Sequence, residues 1–526
     1  MLILSSYRHE NKKPLLRHTC EGRYPVSIGF PGPLDSCLRR NDRLTGQQWF
    51  AISNLINAFS RRLLLGAVFF LLVCAGTLSH AGQYPIEGYP DGQSFTQGDV
   101  INFHVSSEIE RYHVTIQRIG ASRETVWQRD IDNGTRHRIP ADVSAQGCAW
   151  PVSFSFTVPA GWKSGYYEVF FGATDADNKE QWIEGRTSFF VIRAKKPGTT
   201  AKILLQLTTN TYNAYDNWGG HSLYAYNSEG ERPGRKVSFS RPISSGAWEW
   251  EVPFIQWAER NGYDLDYAVN SDLELHPEML DHYQLVVSVG HDEYWSAPMR
   301  DTIERFISNG GNLVFFGGNS LTWQVRLENE GTEMVAWKEA YREDPLYHPE
   351  GNSPLLSTLW SHPLVNRPEN QLVGAGTMFG GMHRSKGQYM DGSGAFTVYR
   401  PDHWVFAGTG MKQGAQFGAK DRIVGYECDG CDHTFVSGRP VPTRRDGTPE
   451  DFLILALAPA SWAPDEWGWY ERWESGRTGN ACMGIHRVPG GGTVFTAATT
   501  GWAHGLRGED PMVEIITRNV LDRLSK

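Results

Sequence analysis

Between residues 83 and 195, apolar and polar positions alternate in short runs. Val100-Ile101-Asn102-Phe103-His104-Val105, Tyr112-His113-Val114-Thr115-Ile116 and Val152-Ser153-Phe154-Ser155-Phe156-Thr157-Val158 carry the period of two expected of half-buried strands. Tyr166-Tyr167-Glu168-Val169-Phe170-Phe171 and Ser188-Phe189-Phe190-Val191-Ile192 complete the set, with turn residues such as Asp132-Asn133-Gly134 and Pro159-Ala160-Gly161 between runs. This spacing predicts an all-β segment, a β-sandwich of immunoglobulin-like type, over residues 82–195. Ala194-Lys195-Lys196-Pro197-Gly198-Thr199-Thr200 reads as a linker.

From Ala201 the pattern becomes strand, helix, strand. Ile203-Leu204-Leu205-Gln206-Leu207, Tyr263-Asp264-Leu265-Asp266-Tyr267, Leu285-Val286-Val287-Ser288-Val289 and Leu313-Val314-Phe315-Phe316 are buried-type strands. Helical stripes run from Pro253 to Asn261, Leu275 to His282 and Trp295 to Asn309. Such alternation implies a parallel sheet covered on both faces. The expected fold class is therefore α/β plus all-β. The N-terminal β-sandwich is followed, over 201–526, by a doubly wound α/β domain, flavodoxin-like or amidotransferase-like. Residues 330–450 are loop-rich, with β-like pieces at Trp404–Ala407 and Ile423–Tyr426. Thr493–Ala498 predicts a last strand, and Met512–Leu524 a terminal helix.

The first 81 residues follow neither pattern. Ser60-Arg61-Arg62, an apolar run from Leu63 to Val73, and Ser79-His80-Ala81 form a secretory signal over residues 60–81. The run is short for a membrane span of about 20 residues, which favours cleavage after Ala81 over an uncleaved anchor. A periplasmic or secreted product follows, without stable membrane insertion once cleaved. Residues 1–59 lack any strand or helix period, suiting a non-native or disordered extension upstream of the true start.

The chain has 526 residues, of which 40% are hydrophobic and 12% aromatic, enough for a large core. Residues 1–81 hold 10 Lys+Arg and 4 Asp+Glu, leaving 40 against 55 and a formal charge of −15 on the remainder. That acidity argues against capture by nucleic acid or anionic lipid. Cys148, Cys428, Cys431 and Cys482 remain, an even number that in an oxidising compartment predicts disulfides. Cys428-Asp429-Gly430-Cys431 is half a zinc site without a second pair at ligand spacing, so a short-loop bridge, or pairing with Cys148 or Cys482, is expected instead.

Ligands of a doubly wound sheet bind outside the carboxyl ends of its strands. The first strand is followed by Asn210-Thr211-Tyr212-Asn213-Ala214-Tyr215-Asp216-Asn217-Trp218-Gly219-Gly220, the third by Gly290-His291-Asp292-Glu293-Tyr294-Trp295-Ser296, and the fourth by Gly317-Gly318-Asn319-Ser320. An imidazole and two carboxylates at one turn suit a hard or borderline metal, or general acid–base work. Starting a helix takes one capping residue, Asp292 or Ser296, so the cluster exceeds what capping requires. Thiol catalysis is disfavoured, because no cysteine stands at the turn after the third strand.

These loops, with Ser238-Phe239-Ser240-Arg241-Pro242, Phe316-Gly317-Gly318-Asn319 and, upstream, Gly147-Cys148-Ala149-Trp150-Pro151-Val152, resemble the large (beta) subunit of N,N-dimethylformamidase and its relatives. The resemblance spans roughly residues 83–526. It implies hydrolysis of a small amide or formamide C–N bond at a mononuclear iron held by two tyrosinates and a glutamate. By motif, Glu293 is the carboxylate ligand, His291 its partner, and Asn319 a group that orients or binds the amide. Lys338 in Trp337-Lys338 lies near the mouth. Tyr215 or Tyr212 is one phenolate. Phe239 stands where the resemblance places the second, leaving Tyr224 and Tyr226 as substitutes. The resemblance leaves room for a homo-oligomer. The competing reading is a non-catalytic binding or surface-assembly protein that keeps the fold.

Overall fold

The computed structural model describes residues 82–526, apart from 175–181, 352, 386–387 and 390–392. The signal segment and the extension before it lie outside the described residues. The protein is mixed α/β, with several sheets.

In the N-terminal part, Ile86–Pro90, Val100–Ser107 and Phe154–Thr157 form a three-stranded antiparallel sheet. A six-stranded sheet includes Tyr112–Ile119, Arg123–Ile131, Gly165–Thr174 and Ser188–Ile192. Alternate residues of both sheets meet in one core, with Ile101, Phe103, Phe154, Val114, Val169 and Phe190 among them. Arg123–Ile131 escaped the reading of the sequence because charged, exposed residues fill it. Such an edge strand signals itself by blocking further pairing rather than by burial.

The main sheet contains β1 (Ile203–Leu207), β2 (Leu265–Val269), β3 (Leu285–His291), β4 (Asn312–Gly318), β5 (Phe396–Val398), β6 (Gln416–Phe417), β7 (Leu453–Ala460), β8 (Gly479–Arg487) and β9 (Thr493–Thr496). Their spatial order is β2-β1-β3-β4-β9-β8-β7-β5-β6. The first five are mutually parallel, and from β9 to β6 the pairing is antiparallel. The expectation of a parallel sheet thus holds for half of it. In the antiparallel half, β5 and β6 come from the loop-rich region and are too short to show a period, whereas the longer β7 and β8 are buried almost throughout and show no alternation.

Alternate residues along the parallel strands enter two different cores. Leu205, Leu207, Val287, Val289, Val314 and Phe316 face one. Leu204, Val286, Leu313 and Phe315 face the other. Helix α2 (Glu251–Arg260) packs in the first through Phe254 and Trp257, and α3 (Ala297–Ser308) in the second through Met299, Ile303 and Phe306. Between β1 and α2 lies the short helix α1 (Thr209–Tyr215), and α4 (Pro511–Leu524) closes the chain. Each core is continuous apolar surface worth about 25 cal/mol per Å² removed from water, which fixes the strand ends relative to one another.

Three local expectations need correction. Trp404–Phe406 is a 3₁₀ turn, and Ile423–Tyr426 is not a strand. In both, buried side chains (Val405 and Phe406; Ile423 and Val424) anchor a turn, and a short apolar run cannot distinguish that from a strand. The four cysteines are free thiols. Cys428–Gly430 is extended, and about 3.3 Å per residue carries Cys431 beyond bridging reach of Cys428. Cys431 Sγ instead lies 3.2 Å from Cys482 Sγ, while Cys148 packs among Tyr89, Trp150 and Trp218. No helix among the described residues is long and apolar enough to cross a membrane.

Candidate active site

The site forms at the carboxyl ends of β1, β3 and β4. Gly290, next to last in β3, has φ 85°, and a Cβ there would stand 2.4 Å from Trp250 Cβ. Only glycine allows this turn while keeping Trp250 against it. Beyond it, His291, Asp292 and Glu293 are all buried, and each side chain has a different destination.

Glu293 meets a cluster of phenols. Tyr224 Oη donates to Glu293, lying 2.8 Å from Oε1 and 3.0 Å from Oε2, and stands 2.8 Å from Tyr215 Oη. Tyr294 Oη donates to Tyr224 Oη at 2.6 Å, and Trp323 Nε1 donates to Glu293 Oε1 at 2.8 Å. Tyr215 comes from the last residue of α1, Tyr224 from the loop after it, and Glu293 from the turn after β3.

His291 turns toward Glu427, its Nε2 being 2.8 Å from Glu427 Oε2 and 3.3 Å from Glu293 Oε2. Asn319 Nδ2 donates to the same Glu427 oxygen at 3.0 Å, and Asn319 Oδ1 accepts from Thr377 Oγ1 at 2.8 Å and from Thr322. Trp250 and Tyr426 pack edge-on against the imidazole.

Lys338 Nζ donates to Tyr294 Oη at 3.2 Å and lies 3.4 Å from the centre of the Tyr224 ring and 4.7 Å from that of Trp323. Buried and flanked by aromatic faces, it sits in a cation–π arrangement.

Among the described residues, no group of three or more His, Cys, Asp and Glu side chains is placed to hold a metal. The set able to hold a hard cation is the mixed one, Tyr215, Tyr224 and Glu293. A cleft of about 730 Å³ lined by Trp162, Lys163, Arg118, Glu259 and Tyr263 contains none of these residues.

The sequence matches the family described as N,N-dimethylformamidase beta subunit-like, C-terminal, over residues 113–514. The chain belongs to that family. It is 29% identical over 228 residues to an N,N-dimethylformamidase beta subunit of Alcaligenes sp, covering 35% of this chain and 29% of the relative. It is 27% identical over 227 residues to the beta subunit of Paracoccus aminophilus, with the same coverage. The matched part is thus less than a third of either relative. Among solved structures, chitinase ChiW of Paenibacillus sp. str. FPU-7 is 14% identical with a TM-score of 0.14, covering 46% of this chain and 21% of its own. Parabacteroides merdae beta-glucuronidase is 7% identical with a TM-score of 0.15, covering 45% and 29%. Neither likeness bears on fold or function.

Within this member of the dimethylformamidase-like family, the residues singled out from the sequence separate into two groups. Glu293, His291, Asn319, Lys338 and Tyr215 come together, and Tyr224 joins them as the second phenol. Tyr212, one turn earlier on α1, does not reach the cluster and hydrogen-bonds the buried Glu251 instead. Phe239 packs in the apolar core, and Tyr226 is 66% exposed, its ring beside that of Tyr224. Glu427 and Tyr294 were missed. Tyr294 lay in the motif beside Glu293, whereas Glu427 sits in an irregular stretch where no period marks it.

Electrostatics divide the cluster. Burial, then the Glu293 charge, raises the pKa of both Tyr215 and Tyr224 well above the ordinary phenol value, so the protein alone keeps them protonated. Burial raises Glu293 too, against the attraction of His291. Burial opposes a proton on His291, yet Glu427, Glu293 and Asp429 together lift its pKa to about 9. Burial lowers that of Lys338.

Proposed function

We propose that this chain is an exported, iron-dependent hydrolase of a C–N amide or formamide-like bond. Its metal ligands would be Tyr215, Tyr224 and Glu293. The observation carrying this reading is the convergence of two phenol oxygens and a carboxylate within 2.8–3.0 Å. Three hard oxygen donors so spaced fit one small cation at about 2 Å from each. The raised phenol pKa values oppose deprotonation in the metal-free protein, and a bound cation would supply the charge that reverses them. Iron held there would supply Lewis acidity toward the amide carbonyl and toward water.

The chain's own residues account for the rest. Glu427 and Asn319 fix His291 so that its Nε2 faces Glu293, where as an imidazolium it can give a proton to the departing nitrogen and recover one from the added water. Water adds to the carbonyl carbon, the C–N bond breaks, and the proton leaves with the amine. Lys338 offsets negative charge on Tyr224 through the ring face and through Tyr294. Trp323 fixes the Glu293 carboxylate with its indole N–H.

The scaffold in this reading is an amidotransferase-like doubly wound domain behind an N-terminal β-sandwich. The Ser60–Ala81 segment supports export. The relatives' designation as beta subunits favours assembly with further chains. Iron-loaded full chain incubated with N-substituted formamides should release formate and amine, and Glu293→Gln should not. Absence of hydrolysis across formamides and small acetamides by an iron-replete chain would refute the activity.

A further inference from the structure

Asp292, in the middle of the cluster, takes no part in the oxygen set. Its carboxylate turns away and accepts from Asn270 Nδ2 at 3.0 Å and Ser288 Oγ at 2.8 Å. Nor does it cap α3, a role filled by Ser296, whose hydroxyl accepts from Met299 N.

Asn270, the residue after β2, faces both ways. While donating to Asp292, it accepts from Asn210 N, in α1, at 2.9 Å. Asn210 Nδ2 in turn donates to the carbonyl of Tyr294 at 3.0 Å. The next residue, Thr211, accepts at Oγ1 from the backbone N–H of Glu293 at 3.1 Å. All of these residues are buried. Thr211 stands one helical turn before Tyr215, so any rotation or slide of α1 against the β3 turn moves Tyr215 relative to Glu293.

We propose that Thr211 and Asn270 are positioning residues that set the separation of Tyr215 from Glu293. Together with Asn210 and Asp292 they make a polar brace between α1 and the turn after β3. Apolar packing alone does not fix this spacing, since a two-turn helix can slide by fractions of an ångström at little cost. Buried hydrogen bonds have a defined length, and leaving one unmade costs about 1–3 kcal/mol. The role assigned to the brace rests on the iron reading of the site.

The test compares Thr211→Val, which removes the acceptor at nearly constant volume, with Thr211→Ser, which keeps it, in the full chain. Ferric ion is titrated in and followed by the visible tyrosinate-to-iron absorption, and thermal unfolding is measured alongside. Thr211→Val should bind iron about 10–100-fold more weakly with a displaced band, while Thr211→Ser stays near the parent. Thr211→Ala carries the same expectation should the valine not be accommodated. In metal-free protein, hydrogen exchange of the Glu293 amide should rise at least about tenfold in Thr211→Val and not in Thr211→Ser. Parent-like iron affinity together with unchanged exchange in Thr211→Val would overturn the proposal. If the parent itself binds no iron, the iron reading fails, and the brace stands or falls on the Glu293 exchange alone.

Discussion

Tyr224 Oη is within 3.0 Å of both carboxylate oxygens of Glu293, although 69 residues separate the two in the chain. Of the candidate phenols, Tyr224 makes the direct contact with this carboxylate. Tyr224→Phe should therefore weaken and shift the tyrosinate-to-iron absorption to that of Tyr215 alone, and abolish the hydrolysis, while the protein remains folded. Spectra of the iron-loaded variant beside the parent check this; an unchanged visible band would remove Tyr224 from the ligand set.

Tyr212→Phe provides the contrast. Tyr212 donates to Glu251, whose remaining donors are Thr208 Oγ1 at 2.7 Å and Thr208 N at 3.3 Å. Losing that hydroxyl should lower stability by about 1–3 kcal/mol, read by denaturant unfolding, and leave iron binding intact. Loss of iron with undiminished stability would reverse the roles assigned to Tyr212 and Tyr215.

Glu427→Gln keeps the shape of the side chain but removes the charge facing His291. Iron content should be retained, because Glu427 is not one of the three donors. Turnover should fall by about 10²-fold or more, the range of a misplaced acid–base group. A variant with parental kcat would show that His291 works without this partner.

Glu369 lies outside the oxygen cluster and gives a pH test. Burial raises its pKa from 4.5 to about 7; one oxygen accepts from Thr377 N at 3.0 Å, while the other is buried without a partner. The folded state thus binds the proton more tightly than the unfolded chain. Stability from this group is full below about pH 4.5 and is lost as pH rises through about 7, by on the order of 3 kcal/mol in total. Glu369→Gln should flatten unfolding free energy against pH across that window. An unchanged slope would mean that Glu369 is ionised in the folded protein near neutrality.

Much of this was legible in the sequence because its period is set by burial. The strands β1, β3 and β4 face apolar cores on both sides, so their continuous apolar runs mark them closely. The motif His291-Asp292-Glu293 was legible as chemistry because three ionisable groups in a strand-to-helix turn exceed what folding needs. The choice of phenol was not. Tyr212 and Tyr215 belong to one short helix, a turn apart, and only the placement of that helix decides which reaches Glu293. Glu427 was hidden for a related reason: it arrives from an irregular segment placed by distant contacts, such as the hydrogen bond from Thr500 N to its carbonyl. At the antiparallel edge of the main sheet, β5 and β6 were obscured by their shortness, as in Gln416–Phe417.

Metal analysis with visible absorption, on the purified full chain before and after ferric ion is supplied, tests the central claim most directly. The account predicts a single iron per chain and a tyrosinate-to-iron band, both lost in Glu293→Gln while its unfolding temperature stays near the parent's. A colourless, iron-free chain after loading, or a Glu293→Gln variant that keeps iron and band, would contradict it.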